Sequence, residues 1–241
     1  MSTYMIFGAT SDIGMSYIEH LNKQNPDTRI LAFGNNSIER IENIKCDKII
    51  PIKCDLNNIS EVDKKVSELI GKYTDITHFI NFAYGKLRYE RVTAFSAEET
   101  EKNFRIQITS CCTALNKLIP IMKKNKYGRI IIITSSVATG MPPTFMSEYA
   151  IVKYAAVGMI KSYARECAKY GITVNGIAPS MVETRLWDTL PSLLKEMNIK
   201  EHPQKRSVSY KEINACIDFL TYPDSDFITG ENIVIAGGET F

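Results

Sequence analysis

Tyr149 and Lys153 stand four residues apart in a stretch with helical periodicity, a spacing that sets phenol and ammonium on one face of a helix. A phenol ordinarily titrates near pH ~10 and works as proton donor and acceptor near neutrality only where a positive charge favours its anion. Lys153 supplies such a charge. Ser136 lies thirteen residues before Tyr149, just past the apolar run Gly128 to Thr134, where its hydroxyl would hold a substrate oxygen beside the phenol. The chemistry of such a trio is proton transfer to or from an oxygen atom. A lone Tyr-x-x-x-Lys pair is common on helix surfaces, and Tyr154 shares the helix without an evident role. The pair gains its weight from Ser136 and from a second signal near the start of the chain.

That second signal is an apolar run near Tyr4 to Phe7 leading into Gly8-Ala9-Thr10-Ser11-Asp12-Ile13-Gly14 and then an amphipathic helix. Small residues therefore sit where a backbone must approach a pyrophosphate at a helix N-terminus. An ordinary strand-to-helix turn would use the same residues, and Asp12 at the middle position reads as a helix cap bonding first-turn amides. No Lys-Ser or Lys-Thr pair closes the loop, which excludes a P-loop. The next apolar run ends Phe33-Gly34-Asn35-Asn36, without the carboxylate that would hold the ribose hydroxyls of NAD. Asn35, Asn36 and Arg40 are placed either in a solvated loop or to bind a 2′-phosphate, and the reading favours NADP(H) over NAD(H). Cys54-Asp55-Leu56 and Asn81-Phe82-Ala83-Tyr84-Gly85 follow two further strands, where adenine and ribose contacts belong.

The elements that must position these residues follow from periodicity. Strands are expected near Tyr4 to Phe7, Arg29 to Phe33, Lys48 to Lys53, His78 to Asn81, Gly128 to Thr134, Thr173 to Ala178 and Asn232 to Ala236. Helices are expected near Asp12 to Gln24, Ser60 to Tyr73, Ala97 to Lys124, Tyr149 to Tyr170, Thr184 to Met197 and Tyr210 to Thr221. This alternation predicts an α/β fold, a doubly wound and mostly seven-stranded parallel sheet with helices on both faces. Ligands of such sheets bind outside the carboxyl ends of the strands, which is where all the residues above fall.

The composition is that of one globular domain spanning residues 1–241. Its 29 basic and 27 acidic residues are dispersed along the chain, which argues against a nucleic-acid partner. Six cysteines show no CxxC spacing and only three histidines occur, so no metal site is expected. No leader or membrane-spanning run is read near Met1 or elsewhere, and a cytoplasmic location with reduced thiols is expected.

Taken together, Gly8 to Gly14, Asp55-Leu56, Asn81-x-Ala83, Ile133-Thr134-Ser135-Ser136, Tyr149-Ala-Ile-Val-Lys153, Val174-Asn-Gly-Ile-Ala-Pro179 to Thr184, Ile228-Thr-Gly230 and Gly237-Gly238 resemble the short-chain dehydrogenase/reductase family. The likeness is to its single-domain members such as 3-oxoacyl-carrier-protein reductases, and it covers nearly the whole chain. The resemblance implies hydride transfer between a nicotinamide dinucleotide and a carbonyl or alcohol, with Tyr149 as acid/base, Ser136 orienting the carbonyl, and Lys153 lowering the phenol's pKa and binding the nicotinamide ribose. It implies dinucleotide contacts from Gly8, Thr10, Ser11, Asp12, Ile13, Gly14, Asn35, Asp55, Leu56, Asn81 and Ala83, and nicotinamide contacts from Pro179, Val182 and Thr184. A proton relay falls to Gln107, where the family carries Asn. Phe7, Asp12, Tyr84 and Ser180 also depart from the family pattern.

Residues 184–205 are expected to form a lid over the substrate, and their Leu186, Trp187, Leu190, Leu193, Leu194 and Met197 serve a partly apolar substrate or simply the lid's own packing. Met141, Pro142, Pro143 and Phe145 line the same pocket or shape its loop. The expected partner is a small-molecule or carrier-bound carbonyl or alcohol, and the resemblance implies a homodimer or homotetramer packed through the two longest helices. Two other functions stay open at this point. One is a dinucleotide-binding regulator without turnover, in keeping with Asp12, Tyr84 and Gln107. The other is a sugar-nucleotide epimerase or dehydratase, against which stands the short stretch following Tyr149.

Overall fold

Runs of Ile, Val and Phe with no polar face settle as strands only where helices cover both sides of the sheet. A computed structural model describes residues 2–239. Seven such runs form β1 (Thr3–Phe7), β2 (Arg29–Gly34), β3 (Ile49–Lys53), β4 (Ile76–Asn81), β5 (Gly128–Ile133), β6 (Ile172–Pro179) and β7 (Asn232–Ile235). All pair in parallel in one sheet of order β3-β2-β1-β4-β5-β6-β7. Every residue of β5 and β6 is buried. The strand order reverses between β1 and β4, and that switch point opens a crevice at the carboxyl edge.

The flanking helices are α1 (Asp12–Gln24), α2 (Glu39–Glu42), α3 (Ile59–Lys72), α4 (Ala97–Phe104), α5 (Ser110–Asn125), α6 (Ser147–Cys167), α7 (Ser192–Glu201) and α8 (Tyr210–Thr221). Local chemistry starts several of them. Asn58 accepts the Glu61 amide at the head of α3, and Ser209 with Glu212 forms a reciprocal capping box on α8. On one face of the sheet α3, α5 and α6 cover a core containing Phe7, Phe33 and Phe79. On the other, α1 and α8 cover Ile6, Ile131 and Ile177.

Two expected helices are interrupted. The stretch 97–124 contains a π-helical turn at Arg105–Thr109 between α4 and α5. The sheet edge causes it: Asn81 Nδ2 donates to the Gln107 carbonyl at 3.0 Å, and Gln107 Nε2 donates to the Ile133 carbonyl at 2.9 Å. Those bonds draw the backbone out of the regular ladder. The stretch 184–197 is a single 3₁₀ turn, Trp187–Thr189, followed by α7. Pro191 has no N–H and holds Leu190 extended at ψ 148°, so one continuous helix cannot form.

Candidate active site

The turn after β1 is shaped by close approach. Gly8 has φ +67° and a Cβ on it would lie 2.5 Å from the Ala83 amide nitrogen, so the ends of β1 and β4 pack backbone to backbone. A Cβ on Gly14 would lie 2.6 Å from the Gly8 carbonyl. Gly14 therefore lets α1 settle against the turn and is not itself in the cavity lining. Ser11 is the cap of α1, its Oγ accepting the Gly14 amide at 3.1 Å.

Asp12, expected as the cap, does something else. Its carboxylate accepts the Arg185 amide at 2.8 Å, Arg185 Nε at 3.1 Å and Arg40 Nη1 at 2.9 Å. Both guanidinium groups also donate to the Thr10 carbonyl, at 2.6 Å from Arg40 and 2.7 Å from Arg185. Burial would raise the Asp12 pKa, but the bonds from Arg185 and Arg40 and their charges outweigh it and hold the carboxyl below its usual value.

A cavity of about 730 Å³ opens over this turn. Gly8, Thr10, Ser11, Asp12, Ile13, Asn35, Asn36, Asp55, Leu56, Ala83 and Thr184 line it. The size and the position at the switch point suit a dinucleotide. Arg40 is committed to Asp12 and Thr10. Asn81 is fully buried below the cavity, its Oδ1 accepting the Ala83 amide at 2.8 Å and its Nδ2 bound to Gln107.

A second cavity of about 230 Å³ adjoins the first, and Ser135, Ser136, Tyr149, Lys153, Pro179, Val182 and Thr184 line it, with Leu87, Met146, Trp187 and Leu190 as an apolar wall. Met141 and Pro143 also reach this cavity. Leu193 and Met197 face solvent, being 65% and 45% exposed.

Ser135 and Ser136 both line this cavity beside Tyr149. Thr134 turns its Oγ1 to the Ile177 carbonyl and Asn232, and Ser135 Oγ accepts the Val137 amide at 3.3 Å. Ser136 opens the 3₁₀ turn Ser136–Ala138, and its carbonyl accepts from Thr139.

Lys153 is almost wholly buried, and its Nζ donates to the Ile133 carbonyl at 3.0 Å. That carbonyl is the one Gln107 also holds, so Gln107 acts on the lysine's anchor from behind and lines neither cavity. Burial pushes Lys153 down to about 7 and pushes the Tyr149 phenol up to about 12, partly offset by Ser135. Nζ lies 5.4 Å from the Tyr149 ring centroid.

One residue escaped the sequence reading. Arg185 has no local signal, because it is 173 residues from Asp12. Tyr84 lines both cavities and packs edge-on against Tyr149 with ring centroids 4.9 Å apart.

A family model described as Enoyl-(Acyl carrier protein) reductase matches residues 8–240. The chain is 29% identical to a 3-oxoacyl-[acyl-carrier-protein] reductase of Buchnera aphidicola, covering 97% of this chain and 95% of that one. It is 25% identical to a D-beta-hydroxybutyrate dehydrogenase of Rhizobium meliloti, covering 99% and 98%. Among solved structures, the fold matches a 3-ketoacyl-(acyl-carrier-protein) reductase from Brucella melitensis complexed with NADH at a TM-score of 0.89, with 21% identity over 100% of this chain and 98% of that one. It matches an NAD+-bound xylitol dehydrogenase at 0.86, with 24% identity over 98% of each chain.

Proposed function

The chain belongs to the short-chain dehydrogenase/reductase family, and from that membership we propose that it is a nicotinamide-dependent oxidoreductase reducing a carbonyl to an alcohol, with Tyr149 as the proton-transfer group. The observation that carries this reading is the joint opening of Tyr149, Lys153 and Ser136 onto one small cavity beside the larger one over the glycine-rich turn. The bound reduced dinucleotide supplies the hydride. Tyr149 then holds the proton that the substrate oxygen receives, Ser136 holds that oxygen beside the phenol, and Lys153 places a cation beside them. Ser135 lines the same cavity as a second hydroxyl.

Gly8, Thr10, Ser11, Asp12 and Ile13 would hold the dinucleotide phosphates, with Asn35, Asp55, Leu56 and Ala83 toward the adenosine and Pro179, Val182 and Thr184 toward the nicotinamide. Asn81 and Gln107 act as positioning residues behind this surface. The lack of a carboxylate at the end of β2 supports NADP(H) over NAD(H). The relatives named for acyl-carrier-protein substrates and the wall of Leu87, Met146, Trp187 and Leu190 support a partly apolar carbonyl substrate, small or carrier-bound. Residues 184–205 serve as its lid. Two copies or four are expected in solution, cytoplasmic and packed through the α4–α5 and α6 faces, and a single-copy mass in light scattering at all concentrations would refute that.

The test is loss of absorbance at 340 nm from NADPH and NADH against 3-oxoacyl thioesters, ketosteroids, quinones and keto sugars. Oxidation by one class, lost nearly completely in Tyr149→Phe while dinucleotide affinity is kept, is the expected result. Dinucleotide binding with no turnover on any class would assign the chain to the non-catalytic regulators instead.

A further inference from the structure

Tyr84 stands at the junction of the two cavities. Its ring covers the Lys153 ammonium, with Nζ 4.9 Å from the ring centroid, and abuts Tyr149. Its hydroxyl is buried and has no hydrogen-bond partner. Filling space against the Tyr149 ring and the Lys153 ammonium needs only a phenylalanine, whereas burying an unpaired hydroxyl is unfavourable. The phenol also stays protonated, because burial, and then the charges of Tyr149 and Glu148, push its pKa upward. It is a donor without an acceptor, on the wall of a binding cavity.

Its place in the chain indicates which ligand brings the acceptor. Tyr84 follows directly on Ala83, the residue packed against Gly8, so it is anchored on the glycine-rich side of the crevice. A ligand extending from that turn to the reaction cavity must cross the face of Tyr84. We infer that Tyr84 is a dinucleotide-binding residue whose hydroxyl donates to an oxygen on the nicotinamide half of the cofactor, at the gate between the two cavities. This rests on the reading of the chain as nicotinamide-dependent.

Equilibrium fluorescence titration of the full chain tests it, with NADH, NADPH and ADP as probes and no substrate present. Tyr84→Phe removes one hydroxyl and leaves the ring. Loss of one buried hydrogen bond raises the Kd roughly tenfold. The expected result is that rise for both NADH and NADPH, with the Kd for ADP, which lacks the nicotinamide half, unchanged. A variant that binds all three as the parent does overturns the inference and leaves the proposed function standing. Equal weakening of ADP and NADH overturns it too, since the change would then be a general disturbance of the crevice. A parent protein that binds no dinucleotide overturns the proposed function and this inference together.

Discussion

At the scale of single residues, two serine hydroxyls past the end of β5 line the reaction cavity, and Ser135 Oγ is engaged by the Val137 amide at 3.3 Å. Ser136→Ala is therefore expected to lower kcat by about 10²-fold, the order seen when one donor to a developing oxyanion is removed, whereas Ser135→Ala lowers it severalfold at most. Steady-state kinetics on the substrate class found active would decide between them, and equal losses would remove the distinction. Burial also separates Lys153 and Tyr149 in their proton affinities, to about 7 and about 12. Burial thus favours the neutral form of each group, and the positive ring of an oxidised nicotinamide would favour the phenol's anion.

At the scale of elements, two segments were displaced from their intrinsic preference by contacts distant in sequence. The π turn at Arg105–Thr109 lies where Asn81 Nδ2 donates to the Gln107 carbonyl and Gln107 Nε2 donates to the Ile133 carbonyl. The segment after β6 is tied by Arg185 to Asp12 and Thr10 across the mouth of the larger cavity. The Arg185 side chain is 54% exposed, so the ion pair contributes little to global stability. Its effect belongs to the segment. Arg185→Ala is expected to speed amide hydrogen exchange in residues 184–190 severalfold while leaving the melting temperature within a few degrees. Unchanged protection of those amides would show that the clasp does not restrain the segment.

At the scale of the whole molecule, the two cores meet through a sheet whose interior carries few titratable groups, and His78 is one of them. It stacks on Tyr4 with centroids 3.9 Å apart, and burial, then the nearby Arg129 charge, lower its pKa to about 3. The folded state refuses a proton that the unfolded chain accepts below pH ~6.5. Stability from this residue is thus complete above that pH and is lost as pH falls toward 3, at up to about 1.4 kcal/mol per pH unit. Thermal melts between pH 7.5 and 4.5 are expected to be shallower in pH dependence for His78→Phe than for the parent. Parallel dependences would exclude His78 as the source.

The seven strands, their parallel pairing and the placement of the chemistry at their carboxyl ends were legible in the sequence, because hydrophobic periodicity and glycine spacing are local properties of the chain. Tyr149 with Lys153, and Gly8 with Ser11, were legible for the same reason: each pair lies within one turn of helix or loop. Asp12 bound to Arg185 and Arg40, the π turn at Gln107, and Tyr84 between two cavities were decided only by tertiary structure. Each depends on a partner brought near by the sheet, and no local pattern encodes a distance across 26 or 173 residues.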